Sequence, residues 1–398
     1  MIDAPAHVRP EQIVDFDFYR PCAPGGDPFD AWRTLQSGAA LQWTPRNGGH
    51  WIATRGADIK AILGDFDRFS SSSAFIPKTD RPRGLPLEYD PPEHAAYRKL
   101  LLPAFTPNAV KRWSGEARVL AIDLIEGFRG QGRCEFIADF AQQLPIIIFL
   151  RMLGLPLSDR EALLEAVNAT LRPTSEERRA AGRATMNAYI DTLVASHRAA
   201  PGDDVLSEAL HADIGGRVMN DAEARGLASG LLGGGLDTVA SVMGWAALFL
   251  AENPGHRRQL IDEPALIPKA IEELLRRFAV PNIARVVRAD IDDQGADDRG
   301  AAMKAGEQIL MSACMHSMDA DIFADPLTVD FRRRDSYKHS SFSHGVHRCI
   351  GAPLATQEIR IFLEEWLARI PDFGLDPGDP PVRATGIVHG LNRLKLIW

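Results

Sequence analysis

The sequence predicts a mainly α-helical protein with a few small β-sheets, and three observations carry that expectation. Helix-start signals recur from Thr106 onwards, one apolar helical pattern runs for roughly thirty residues after Asn220, and the strand-like runs are short. Those runs gather in the first 80 residues and beyond residue 280. No repeat, low-complexity tract or linker interrupts the chain, so one domain is expected over 1–398.

The N-terminal region mixes strand-like runs at 40–43 and 50–54 with loops and one short helix. Thr106-Pro107 puts a capping hydroxyl before a proline whose missing N–H is harmless at the first helical position, predicting a helix over 108–128. Ser158-Asp159-Arg160-Glu161 reads as a capping box, in which hydroxyl and carboxylate each satisfy a free backbone N–H. Asn220-Asp221-Ala222-Glu223 follows the same logic and opens the long pattern, which reaches 250. A helix that long exceeds the usual length and would run through the molecule's centre. The most apolar stretch, 144–157, holds Pro145 and Arg151 and is too short to span a bilayer, so it reads as a core helix. Pro268 starts a helix over 268–278, a strand-like piece follows at 308–312, and a last helical pattern covers 352–370.

At 398 residues, with 45% hydrophobic and 25% charged, the chain has the make-up of a globular enzyme able to enclose a cofactor. A formal charge of −8 argues against a nucleic-acid partner, whose footprint would be basic. Residues 1–20 are polar and proline-punctuated, so neither a secretory segment nor a membrane association is expected. Cys22, Cys134, Cys314 and Cys349 are dispersed, which fits a reducing, cytoplasmic location better than a disulfide framework.

The chemistry concentrates in four places. Phe342-Ser343-His344-Gly345-Val346-His347-Arg348-Cys349-Ile350-Gly351 sets a cysteine in a glycine-bounded turn just before a helix. A thiolate there would face helix N-terminal N–H groups, and Gly345 and Gly351 permit tight turns that bring amides to the sulfur. With Phe342 to pack against a flat cofactor, the loop has what holding a haem iron through one sulfur requires. In the long helix Gly226, Gly230, Gly233 and Asp237 share one face, and Gly234 and Thr238 form the adjacent i, i+4 pair. Close helix packing through small residues is one explanation; a carboxylate in an apolar helix centre asks for a partner or a purpose. Glu273 and Arg276 lie at i, i+3 and pair on one helical face. His94 and Arg98, at i, i+4, can reach a single anionic edge.

Together these segments resemble the cytochrome P450 superfamily. The loop matches its haem-ligand signature Phe-x-x-Gly-x-x-x-Cys-x-Gly, with Ser343 where a glycine is common. The resemblance implies a P450 fold whose long central helix crosses a buried haem (heme b) ligated by the Cys349 thiolate. Gly234-Gly235-Leu236-Asp237-Thr238 looks like the oxygen-activation motif, Asp237 relaying protons and Thr238 placing a hydroxyl beside dioxygen. A threonine bonding back to the i−4 carbonyl would also loosen the helix locally. Glu273 and Arg276 would brace the cysteine loop. His94, Arg98, Arg285 and His347 would bind the haem propionates, with Phe342 and Gly351 completing the cofactor site.

Phe75-Ile76-Pro77, the run Glu272 to Phe278, Trp366-Leu367-Ala368-Arg369-Ile370-Pro371-Asp372-Phe373, Gly386-Ile387-Val388 and Leu396-Ile397-Trp398 sharpen the likeness to the bacterial camphor-hydroxylase branch. The departures concern substrate. Pro82 falls where the tyrosine that bonds the camphor ketone is expected, Gly230 and Gly233 replace larger residues, and Pro281 and Ile283 replace a valine and a carboxylate. A wider, more apolar pocket is therefore expected, for a small terpenoid or norisoprenoid such as an ionone, lined also by Phe75, Leu85, Leu87, Ile387 and Val388. The branch implies a monomer fed by a [2Fe–2S] ferredoxin and an NADH-dependent reductase, with Arg98, Lys99, Lys111, Arg112 and Arg348 as candidate docking cations. A peroxide-driven peroxygenase or a non-catalytic haem protein are the alternatives, and the Asp237-Thr238 pair argues against both.

Overall fold

The computed structural model describes residues 2–398 apart from 24, 79–81 and 293–299. Its centre is the run Asp221–Glu252, long and apolar enough by length and composition to cross a membrane, but 67% of its apolar 18-residue stretch is buried inside the protein, as in a core helix. It is built as two helices, Asp221–Gly235 and Thr238–Glu252. Asn220 caps the first through the expected box with Glu223. The break falls at Leu236-Asp237, where Asp237 leaves helical geometry and Thr238 Oγ1 donates to the Gly234 carbonyl at 3.2 Å.

Against this axis pack Gln143–Met152, Ile267–Arg277 and Ala352–Arg369, and Pro107–Arg129 packs in turn on the first and last of these. Thr106 accepts from Ala109 N, as its sequence position predicts. The Ser158 box does not form. A 3-10 turn over Leu157–Asp159 precedes Arg160–Leu171, and the Ser158 hydroxyl bonds Asp159 instead. A 24-residue helix, Glu176–Ala199, packs on Arg160–Leu171.

The main sheet has five strands in the order Leu41–Thr44, His50–Ala53, Gln308–Ser312, Asn282–Val287, Phe69–Ser70, with only the second and third parallel. It thus joins the two strand-rich regions expected from sequence. A three-stranded sheet brings Arg133–Glu135, from within the helical part, together with Lys395–Ile397 and Gly374–Leu375. A backbone ladder then links four distant segments. Ala284 N donates to Ala74 O (2.8 Å), Asn282 N to Ile387 O (2.8 Å) and Ile387 N to Leu171 O (3.0 Å).

Candidate haem-thiolate site

Cys349 is accessible, yet burial pushes its thiol up, the combination of a residue facing an internal space. The N–H groups of Gly351 and Ala352, at the start of Ala352–Arg369, donate to the sulfur, and Arg98 and Arg348 add positive charge, all opposing that rise. Cys349 N closes the loop on Phe342 O at 2.8 Å. Gly345, at φ +66°, sits where a Cβ would come within 3.2 Å of Leu63 O, so both turn and packing call for glycine. Gly351 has φ −78°, a conformation open to any residue, so the turn does not require it; a Cβ there would lie 3.8 Å from the sulfur. Ser343 stands at φ +60°, the left-handed region in which a side chain costs about 1–2 kcal/mol.

Three cationic or imidazole side chains converge on one edge of the same space. His94, Arg285 and His347 are all buried, and the His94 and His347 rings lie 4.3 Å apart. Burial, with Arg285 and His94 beside it, pushes His347 down to about 3, and burial lowers Arg285 to about 10. His94 Nε2 and Arg285 Nη2 are buried without a hydrogen-bond partner. Buried donors left in that state cost free energy unless an acceptor reaches them, and the two carboxylates at a haem edge fit them. His347 Nε2 meets Ser71 Oγ at 2.9 Å. Arg98, close enough for its charge to add to burial in lowering both His94 and His347, donates to Arg348 O at 2.7 Å, bracing the cysteine loop.

Asp237 is 2% exposed and held by a residue that sequence reasoning missed. Arg172 Nη1 donates to Oδ1 at 2.9 Å and Nη2 to Oδ2 at 2.5 Å, while its Nε donates to Val388 O. Ser241 accepts from the same guanidinium at 2.6 Å. Nothing local singles out Arg172; its partner lies 65 positions away.

The glycines of the central helix divide. A Cβ on Gly226 would strike Arg83 O at 2.4 Å, on Gly230 Leu85 O at 2.1 Å, and on Gly235 the Phe149 ring at 2.4 Å. From sequence Gly230 is expected to widen the pocket; instead it seats the backbone of Leu85. Gly233 and Gly234 meet nothing within 4 Å and are the open part of this face. Among the other expected pocket residues, Phe75, Leu87, Pro281, Ile283 and Ile387 keep accessible surface, whereas Leu85 and Val388 are closed into the core. Pro82, at the ketone-anchor position, is exposed.

Glu273 and Arg276, both fully buried, form two bonds of 2.8 Å. The carboxylate also accepts from Asp330 N, Arg333 and Ser336, and the guanidinium donates to the carbonyls of Ser317, Pro326 and Thr328. Burial opposes ionisation, yet the Arg276 guanidinium and the other donors hold this carboxyl below its usual range. The pair fastens the approach to the cysteine loop, and Ser341 Oγ ties the loop itself to Leu275 O of the same helix.

Comparisons with known proteins agree with this geometry. The family model for cytochrome P450 matches residues 134–381. A probable cytochrome P450 127A1 of Sinorhizobium fredii is 34% identical over 99% of this chain and 96% of its own. The crystal structure of cytochrome P450 CYP101C1 superposes with a TM-score of 0.88 at 36% identity, and that of CYP101J2 with 0.87 at 34%, each over the whole of both chains. A cysteine under helix-terminal amides, an anion-seeking edge and a central helix broken at an acid–alcohol pair thus occur in a chain that belongs to the cytochrome P450 family, on its camphor-hydroxylase-like bacterial branch, whose members bind haem through a cysteine thiolate and act as monooxygenases.

Proposed function

We propose that residues 1–398 form one cytoplasmic haem-thiolate monooxygenase domain that hydroxylates a small apolar terpenoid or norisoprenoid with electrons from a [2Fe–2S] ferredoxin. Bound haem supplies the reductive activation of dioxygen and the transfer of one oxygen atom to substrate. Cys349 would supply the thiolate ligand, His94, Arg285 and His347 would hold the propionates, and Phe342 would pack against the haem. The chain's remaining work is to orient the substrate, exclude bulk water and deliver protons.

The break at Asp237 is the observation that carries the catalytic reading, because it sets a buried carboxylate beside a hydroxyl already turned onto Gly234 O. Locked by Arg172, Asp237 passes a proton only when one of its two bonds opens. Proton delivery by a placed group is worth about 10²–10⁴-fold. Asp237→Asn is expected to slow turnover at least about 10²-fold, with haem content and substrate binding retained. Single-turnover rates with their solvent isotope effect check this, and an unchanged rate would remove Asp237 from the relay.

For the substrate, the supporting observations are that apolar Pro281, Ile283 and Ile387 keep accessible surface, that Gly233 is open, and that exposed Pro82 stands where a ketone anchor is expected. Apolar pockets discriminate weakly, about 1–3 kcal/mol per methylene, so several ligands should bind. Spectral titration is expected to give tighter binding of β-ionone than of camphor; clearly tighter camphor binding overturns this reading.

The ferredoxin reading is supported by the surface beside Cys349. A groove of about 370 Å³ there is lined by Arg348, Phe342, His344, Tyr337 and Val110. Lys99, Lys111, Arg112 and Arg348 are exposed. Arg348→Glu is expected to weaken ferredoxin-driven NADH consumption while leaving substrate titrations unchanged. Equal turnover would take Arg348 off the docking face, and turnover with hydrogen peroxide alone matching the ferredoxin system would favour a peroxygenase.

A further inference from the structure

We propose that Glu88 is a positioning residue for substrate selection, its carboxylate joining residues 74–76 and 84–88 into a fixed pocket wall that stands on Gly226 and Gly230. This rests on the pocket reading above.

Between the strand Phe69–Ser70 and the helix Glu93–Leu101 the chain forms an outgoing limb, 74–78, and a returning limb, 82–88, the latter lying on the central helix. The outgoing limb is held at three successive carbonyls. Ala284 N bonds Ala74 O at 2.8 Å, Gln308 Nε2 bonds Phe75 O at 2.9 Å and Tyr19 Oη bonds Ile76 O at 2.7 Å. The returning limb lies backbone to backbone on the helix. Leu85 N donates to Gly226 O at 2.9 Å, and the contacts at Gly226 and Gly230 leave no room for even one methyl group between them.

Glu88 connects the limbs. Its Oε1 accepts from Ala74 N at 3.0 Å and its Oε2 from Gly84 N at 2.6 Å, with the residue 3% exposed. Asp90 makes a similar arrangement at the base of the segment, with Ser70 Oγ and Ser71 N, and pairs with the exposed Arg288. Bonds to a carboxylate are roughly twice as strong as neutral ones and strengthen away from water. The pocket residue Phe75 and the buried Leu85 therefore sit on limbs of set separation. A ligand must fit the wall, because moving it means breaking the Glu88 bonds to Ala74 and Gly84 and lifting Leu85 off the helix. This is pre-organisation: the ordering is done before the ligand arrives.

Glu88→Gln keeps the shape but turns an NH2 group against a backbone N–H, while Glu88→Asp keeps the charge. The test uses the holoenzyme with two readouts: amide hydrogen exchange over 74–86, and spectral dissociation constants for apolar ligands of rising size from camphor through β-ionone upwards. Glu88→Gln is expected to speed exchange at Ala74 and Gly84 by about tenfold or more, since exchange follows local opening, with Ala352–Arg369 unchanged. It should also flatten the ranking of ligands by size, with Glu88→Asp restoring part of both. Gly230→Ala, which lifts the wall with the carboxylate intact, should flatten the ranking too. Exchange in Glu88→Gln equal to the parent overturns the clasp. Faster exchange with an unaltered ranking overturns its role in selection. If no apolar ligand shifts the parent's spectrum, the pocket reading falls and the selection role with it, while exchange still decides the clasp.

Discussion

Replacing Cys349 with serine is expected to abolish the red-shifted ferrous–CO band and reduce monooxygenase turnover to background. The other three thiols cannot substitute. Burial pushes Cys314 up to about 12 and raises Cys134 further, and Cys22 is raised as well. Cys349 combines access to an internal space with two amide donors and two arginines that favour the anion. A serine oxygen would meet the same donors but lacks the soft, electron-releasing sulfur the chemistry depends on. The CO difference spectrum of purified C349S is the check, and a surviving red-shifted band would place the ligand on another cysteine.

The second large effect is on stability. Glu273→Ala removes a buried carboxylate with five donors around it and leaves the Arg276 charge, itself wholly buried, uncompensated. Breaking a buried pair from one side costs about 3–5 kcal/mol, against a total stability of about 5–15 kcal/mol. A sharp fall in soluble yield and unfolding midpoint is expected. The double variant Glu273→Ala/Arg276→Leu should lose less than the two single losses combined, because it leaves no lone charge between the partners. A single variant as stable as the parent would show the pair to be dispensable.

What was legible in the sequence was local. The cysteine loop, the Glu273–Arg276 pair, the Asn220 cap and the Thr106 cap each depend on residues within a few positions of one another. Of the main sheet, Leu41–Thr44, His50–Ala53 and Gln308–Ser312 were recognisable as strands, whereas Asn282–Val287, Phe69–Ser70 and the parallel pairing of His50–Ala53 with Gln308–Ser312 were not. Long-range partners stayed hidden. Arg172 acquires meaning only when Arg160–Leu171 brings it onto Asp237, and Glu88 only when its loop folds back on itself. Gly230 shows the limit best. Its place on the small-residue face was evident, but whether the missing side chain makes room for a ligand or for backbone depends on Leu85, far away in sequence. Ser158 failed for a local reason, since a 3-10 turn took the place of the cap.

The ladder running from Ala74 through Ala284, Asn282 and Ile387 to Leu171 is made of main-chain bonds alone. It calls for glycine at Gly386, where a Cβ would strike Leu171 O at 2.2 Å, but no bond in it uses the side chains of Ile283 or Ile387. Ile283 and Ile387 can be exchanged for larger or smaller apolar residues with the scaffold left standing. Such a wall lets new specificities evolve by single substitutions, each altering the lining and none the frame.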